Sequence, residues 1–226
     1  MKNFMVIAFC LFLCFFVPSK TYSQGSFAVH VGTAIPGSDF GSDDVFDPNA
    51  FGAALGASIG VKHFLPFFIE GLEFFYGIDF NYHGLQNDVR EDFEREIREI
   101  AGARPDITFH RIINIPITAG FKHSYHFNER IGLFANVGLA WNFLNITDLE
   151  ATILGQSMTV EYDPTNNFGF KIGGGIRINQ RFSISVDYFG LGTHEVEARL
   201  RAPGFSQGER FEGKIEFLAL RFGVRF

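Results

Sequence analysis

The sequence predicts an all-β protein: an eight-stranded antiparallel up-and-down transmembrane β-barrel with a short helix in its second long loop. Three observations lead there. Along eight segments, apolar residues alternate with small or polar ones at a period of two. The connections between those segments alternate strictly between short and long, as periplasmic turns and extracellular loops do. The chain of 226 residues is 46% hydrophobic, with 30 Phe and 25 Gly. Beyond its N-terminus, however, it holds no uncharged apolar run of the ~18 residues a spanning helix needs.

Each strand can be read in turn. "SFAVHVGTA" sets Phe27, Val29 and Val31 against Ala28, His30 and Gly32. "FGAALGASIGVK" sets Leu55, Ile59 and Val61 against Gly56, Gly60 and Lys62. "LEFFYGIDFNYH" sets Tyr76, Ile78 and Phe80 against Gly77, Asp79 and Asn81. The same alternation runs through "IINIPITAGFK", "IGLFANVGLAWNF", "FGFKIGGGIRI", "FSISVDYFG" and the closing "KIEFLALRFGVRF". Eight is an even number, as single-chain bacterial barrels require. Long connections fall at 35–50, 85–108, 145–167 and 193–213, rich in Asp, Asn, Gly, Pro and charge. In the second of these, Val89, Phe93, Ile97 and Ile100 recur at helical spacing before Gly102 and Pro105. Glu91 and Glu94 stand four residues ahead of Arg95 and Arg98, the stabilising order. "LEATILGQSMTVEYD" and "EVEARLRAPGFSQGERFEGKIEF" read as hairpins that extend the wall beyond the membrane.

Residues 1–23 read as a cleaved signal peptide, leaving 24–226 as one barrel domain. Lys2 supplies the positive region, "FMVIAFCLFLCFFV" the apolar core, and Thr21 and Ser23 the small residues before the cut. The apolar core is short for an anchor helix. Both cysteines, Cys10 and Cys14, lie in this leader, so the mature chain has neither disulfide nor thiolate chemistry. Losing Lys2 and Lys20 takes the formal net charge from −6 to −8. That balance argues against nucleic acid as a partner, which needs a basic face.

Alternation alone does not say which face points outward, because a soluble, ligand-enclosing barrel has the same period. Composition decides it. The non-apolar face is mostly Gly, Ala, Ser and Asn, which suits the crowded interior of eight strands better than a water-facing wall. Aromatic residues recur near strand ends (Phe74, Tyr76, Tyr82, Phe121, Trp141, Phe143, Tyr188), as interfacial girdles would.

With these residues in view, the chain resembles small outer-membrane β-barrel proteins of Gram-negative bacteria, the porin-family group with OmpW-like and PorT-like members. The likeness is sharpest in "RFGVRF" and in "IINIPITAGFKHSYHF" on the fourth strand. It implies a cell outer membrane location after export, outer-membrane lipid as surroundings, and often no assigned activity. It also implies that Phe222, Val224 and Phe226 form the C-terminal signal read by the barrel-assembly machinery. Pro116 departs from simple sheet rules, and a local bulge is expected there.

The inward face should carry Lys62, Glu73, Asp79, Lys122, Lys171, Arg177, Asp187, Arg221 and Arg225. Opposite charges in a narrow interior should pair into a plug, because an isolated buried charge is costly. The alternative is a narrow channel for small solutes, since six of these nine are cationic. Val89, Phe93 and Ile97 are the loop residues expected to contact an extracellular partner. No cofactor and no metal are expected: His123, His126 and Glu129 fall on a short turn and supply too few ligands. "GGG" at 173–175 lacks the following helix of a phosphate cradle. A lipid-modifying enzyme would want Ser, His and a carboxylate converging at the membrane rim. Thr193, His194, Glu195 and Ser206 supply those types without diagnostic spacing. The expected role is therefore non-enzymatic, structural or adhesive.

Overall fold

The computed structural model describes residues 25–43 and 50–226. Residues 1–23, expected from the sequence to be a signal peptide, and both cysteines lie outside the described residues. Eleven strands form one antiparallel sheet, and eight of them close into a ring. In ring order these are β1 (Ser26–Pro36), β2 (Gly56–Pro66), β3 (Leu72–His83), β5 (Ile112–His126), β6 (Ile131–Ile146), β9 (Thr165–Ile178), β10 (Phe182–Ala202) and β11 (Phe205–Arg225). The seam runs between β1 and β11, from Ala28 opposite Arg225 to Pro36 opposite Phe217. Pairing carries to the last residue: the Phe226 amide donates to the Phe27 carbonyl at 2.8 Å and the Phe27 amide to the Phe226 carbonyl at 3.2 Å. Closure leaves no backbone edge facing hydrocarbon.

The remaining strands, β4 (Asp106–Thr108), β7 (Leu149–Ile153) and β8 (Gln156–Tyr162), stand above the ring. They add to the outer half of β10 in the order β10, β8, β7, β4. β10 and β11 run on past the barrel to a turn at Pro203 and Gly204, where Gly204 takes φ 77°. Together the five strands make an outer sheet at the end carrying the long connections.

The faces divide as the alternation requires. Val137 is 55% exposed and Phe222 46%, on the outer wall. Lys122 and Arg221 point inward at 6% and 1%. On β9 the outward series is Phe168, Phe170, Ile172, Ile176 and Ile178.

Two irregularities adjust this frame. At Pro116 the ladder to β3 is interrupted between Ile78↔Ile117 and Asn81↔Asn114, with no change of register. On the other side, Pro116↔Asn142 pairs in phase. The expected bulge is therefore absent: the missing N–H of proline opens a gap in one ladder without inserting a residue. The bulge lies instead in β10, where the register to β11 shifts between Gly190 and Thr193. Before it, odd-numbered Ser185, Asp187 and Phe189 face inward; after it, His194 and Val196 do. Gly192 sits there at φ 80°, a conformation that favours glycine.

The helix α1 (Asn87–Ala101) ends at Gly102, which is left-handed at φ 64° and donates its N–H to the Arg98 carbonyl at 3.0 Å. Arg95 pairs with Asp92 on the exposed face, not with Glu91. Val89 and Phe93 turn toward the barrel, onto a cluster of Leu85, Phe109 and Leu149.

Candidate functional site: a filled lumen beneath an outer sheet

The interior is stacked in layers. At the outer mouth, Phe40 and Phe51, on the described parts of the connection after β1, pack inward against the barrel wall. Phe40 is fully buried, its ring 5.9 Å from Phe51 and 4.9 Å from His83. Phe189 and Phe217 stack beneath at 4.9 Å, with Leu191, Ile215, Ile112 and Leu144 filling the same cluster. Backbone bonds hold this stopper: the Phe51 amide donates to the Asp39 carbonyl and the Ala53 amide to the Phe40 carbonyl, each at 3.0 Å. The Gln86 side chain donates to the Gly41 carbonyl at 2.5 Å.

A charged layer follows. Arg221 spans the lumen, donating one guanidinium nitrogen to Asp79 at 2.5 Å and the other to Asp187. Lys171 donates to Asp187 and to Asn136, both at 2.5 Å, and Asn136 donates to Asp187 at 3.1 Å. Glycine makes room for both carboxylates. A Cβ on Gly60 would overlap the Asp79 carboxylate, and one on Gly173 that of Asp187. The triple glycine thus serves close cross-strand packing.

Below lies an aromatic layer of Phe64, Phe75 and Phe134. The Lys122 ammonium rests 4.5 Å from the Phe64 centroid and 4.3 Å from that of Phe134. Lys171 stands 5.5 Å from the Phe75 centroid. At the inner end a second charged group gathers on Glu73. It accepts two bonds from Arg225, one of them at 3.1 Å, and one from Arg177 at 3.4 Å, with Lys122 at 3.9 Å. Arg177 also donates to Ser124 at 3.2 Å.

All nine charged residues singled out from the sequence face the lumen: eight fall into these two groups, and Lys62 is buried with its ammonium 5.9 Å from the Phe75 ring. Phe222, Val224 and Phe226 end the outer wall at the seam. Val89 and Phe93 dock the helix, so they are not the exposed contacts expected of them; Ile97 is half-buried and Ile100 is 81% exposed. His123, His126 and Glu129 are all exposed at the inner turn. Among the described residues no cluster of His, Cys, Asp or Glu is arranged to hold a metal. Thr193 and Glu195 face out while His194 faces in, its Nε2 accepting from the Asn142 side-chain amide at 3.3 Å. Ser206 pairs with Arg201, eight residues beyond Thr193, or ~27 Å up the hairpin. These four types do not converge.

Sequence reasoning missed Asn136, Ser124 and the stopper. Asn136 and Ser124 lie on the inward phase of their strands and were legible by position. Phe40 and Phe51 sit in a segment with no period to mark them.

The second feature is an open groove of about 530 Å³ at the outer end. Arg90, Phe109, Arg111, Asp148 and Glu150 line it. The Arg90 guanidinium lies 4.8 Å over the Phe109 ring. His110 packs beside it against Tyr162 at 5.4 Å. Burial and the neighbouring Arg111 push His110 down to about 4; burial and Asp148 push the Tyr162 hydroxyl up to about 12.

A closed eight-stranded ring with an apolar outer belt and a filled lumen defines a small transmembrane β-barrel of the outer-membrane type. The chain is similar to several solved structures. A major outer membrane protein from Thermus thermophilus is similar over 90% of this chain and 100% of its own, at 12% identity and a TM-score of 0.52. OprG from Pseudomonas aeruginosa covers 91% of this chain and 97% of its own at 11% identity and 0.48. Ail, the attachment invasion locus protein of Yersinia pestis, covers 90% and 100% at 15% identity and 0.41. No family model and no curated protein matches the sequence.

Proposed function

We propose that this protein is a non-catalytic outer-membrane barrel whose lumen is a structural plug and whose working surface is the outer sheet with its groove. The observation that carries the reading is the double seal: an apolar stopper above a cross-lumen ionic strut. A solute path would have to dismantle both. Outside the belt, by contrast, the chain invests five strands and a helix in a surface with an open, mixed-charge groove. That arrangement suits contact with an external partner. Phe222, Val224 and Phe226, outward at the seam, are in place to be read by assembly machinery before the ring closes.

Planar-bilayer recording tests the seal. The refolded protein should give no reproducible open steps, and steps that vanish when the lumen is filled by larger side chains would establish the channel instead. Protease added to intact cells tests the orientation: cuts should fall at 154–155 and 203–204, and cuts at 127–130 or 179–181 would invert it.

A further inference from the structure

We infer that the barrel interior holds a bound monatomic anion of halide size, seated between the aromatic layer and the cross-lumen strut. The observation is a charge mismatch at a cavity. Lys122, which lines the same cavity, stands 3.9 Å from Glu73; the rest of the middle of the lumen holds three cations, Lys62, Lys171 and Arg221, against two carboxylates, Asp79 and Asp187. Both carboxylates are already engaged, Asp79 by Arg221 and Asp187 by Arg221 and Lys171. Lys62 is 4% exposed and, among the described residues, has no carboxylate within ion-pair distance; its ammonium stands 5.9 Å from the Phe75 ring. An ammonium out of water without a counter-charge is strongly disfavoured. One monovalent anion offsets the charge of Lys62.

The space for it is present. A cavity of about 20 Å³ opens where Lys62, Lys122 and Lys171 converge. One water needs about 10–15 Å³ on the same measure, so the space suits a compact, single-atom guest. The remaining polar lining is Ser185 with its hydroxyl, Asn136, His30 and the Asp187 carboxylate. The His30 Nδ1 is buried without a hydrogen-bond partner. Asp187 turns its oxygens to Arg221, Lys171 and Asn136, so the ammonium and hydroxyl groups remain to face the guest.

Halide dependence of stability tests this. The refolded barrel is unfolded by urea in detergent micelles, with sodium bromide, chloride or sulfate at equal ionic strength. Surface exclusion alone makes sulfate the best stabiliser. A lumen site reverses that order and makes the midpoint rise with the logarithm of halide concentration. Bromide-grown crystals should show an anomalous peak among Lys62, Lys122 and Lys171. Lys62→Met removes the surplus cation, and Ser185→Asp supplies an internal carboxylate; either should abolish the halide effect. Sulfate stabilising at least as well as halide in the wild type, a bromide-free cavity, or a halide effect that survives in either folded variant would each overturn the inference.

Discussion

Arg221 shows what one residue contributes in a lumen this narrow. It comes from the last strand, yet its two partners sit on β3 and β10, so a single side chain ties three strands across the interior. Its guanidinium and the two carboxylates are essentially sealed from solvent. Desolvation opposes placing such ions there at all, and the strut stands only because each charge meets its counter-charge at hydrogen-bonding distance. Removing one member is therefore worse than never having had the set. Arg221→Met should strand Asp79, leave Asp187 to Lys171 and Asn136, and lower the free energy of unfolding by about 3–5 kcal/mol. Arg210 is the contrast: it pairs with Glu195 at 3.3 Å and Glu197 at 3.5 Å, but on the open hairpin with its side chain 68% exposed. Arg210→Met should cost at most about 1 kcal/mol. Urea midpoints in micelles check both; equal losses would mean that burial is not what gives the strut its weight.

At the scale of elements, the strands announce themselves and the adjustments between them do not. Period two marks all eight wall strands because lipid selects every second side chain. The β10 bulge is invisible in "FGLGTHEV", since Gly and Leu fit either face and only the β11 register shows the phase change at Gly192. The helix was legible from its spacing, but its direction was not: Val89 and Phe93 have the same pattern whether they meet a partner or the protein's own cluster. That docking surface should be sensitive to acid through His110. Its folded value of about 4 lies below the ~6.5 of an exposed histidine. Between those values the undocked segment binds a proton that the docked one refuses. The docked form is thus fully favoured above about pH 6.5 and loses ground as pH falls toward 4. Hydrogen exchange in 85–110 and in β7 and β8, corrected for intrinsic rates, should rise at pH 5 relative to pH 7. His110→Phe should remove the difference, and an unchanged difference in that variant would assign it to another group.

For the whole molecule, dimensions and chemistry converge on one solvent arrangement. The outward series on β9 runs from Phe168 to Ile178, ten steps of about 3.3 Å, or roughly 25 Å of height at a tilt near 40°. No helix among the described residues is long and apolar enough to cross a membrane, and the strands supply the belt. The inward charges were readable because alternation assigns them a side. How they divide into two groups, and that an apolar stopper caps them, depends on register and on a connection packing back from outside, neither of which leaves a periodic trace. The one tryptophan gives a direct measure of where the belt ends. Trp141 faces outward on β6 near its outer end, stacked 6.0 Å from Phe168, with its indole N–H donating to Asn166 at 3.2 Å. An amphipathic ring so placed belongs at the headgroup boundary. In vesicles of brominated lipid, its fluorescence should be quenched more by bromines near the glycerol end of the chain than by bromines at the methyl end. Trp141→Phe supplies the blank. Quenching that is strongest at the methyl end would sink Trp141 to the bilayer centre and shift the whole belt by half its height; no quenching at either depth would take β6 out of lipid altogether.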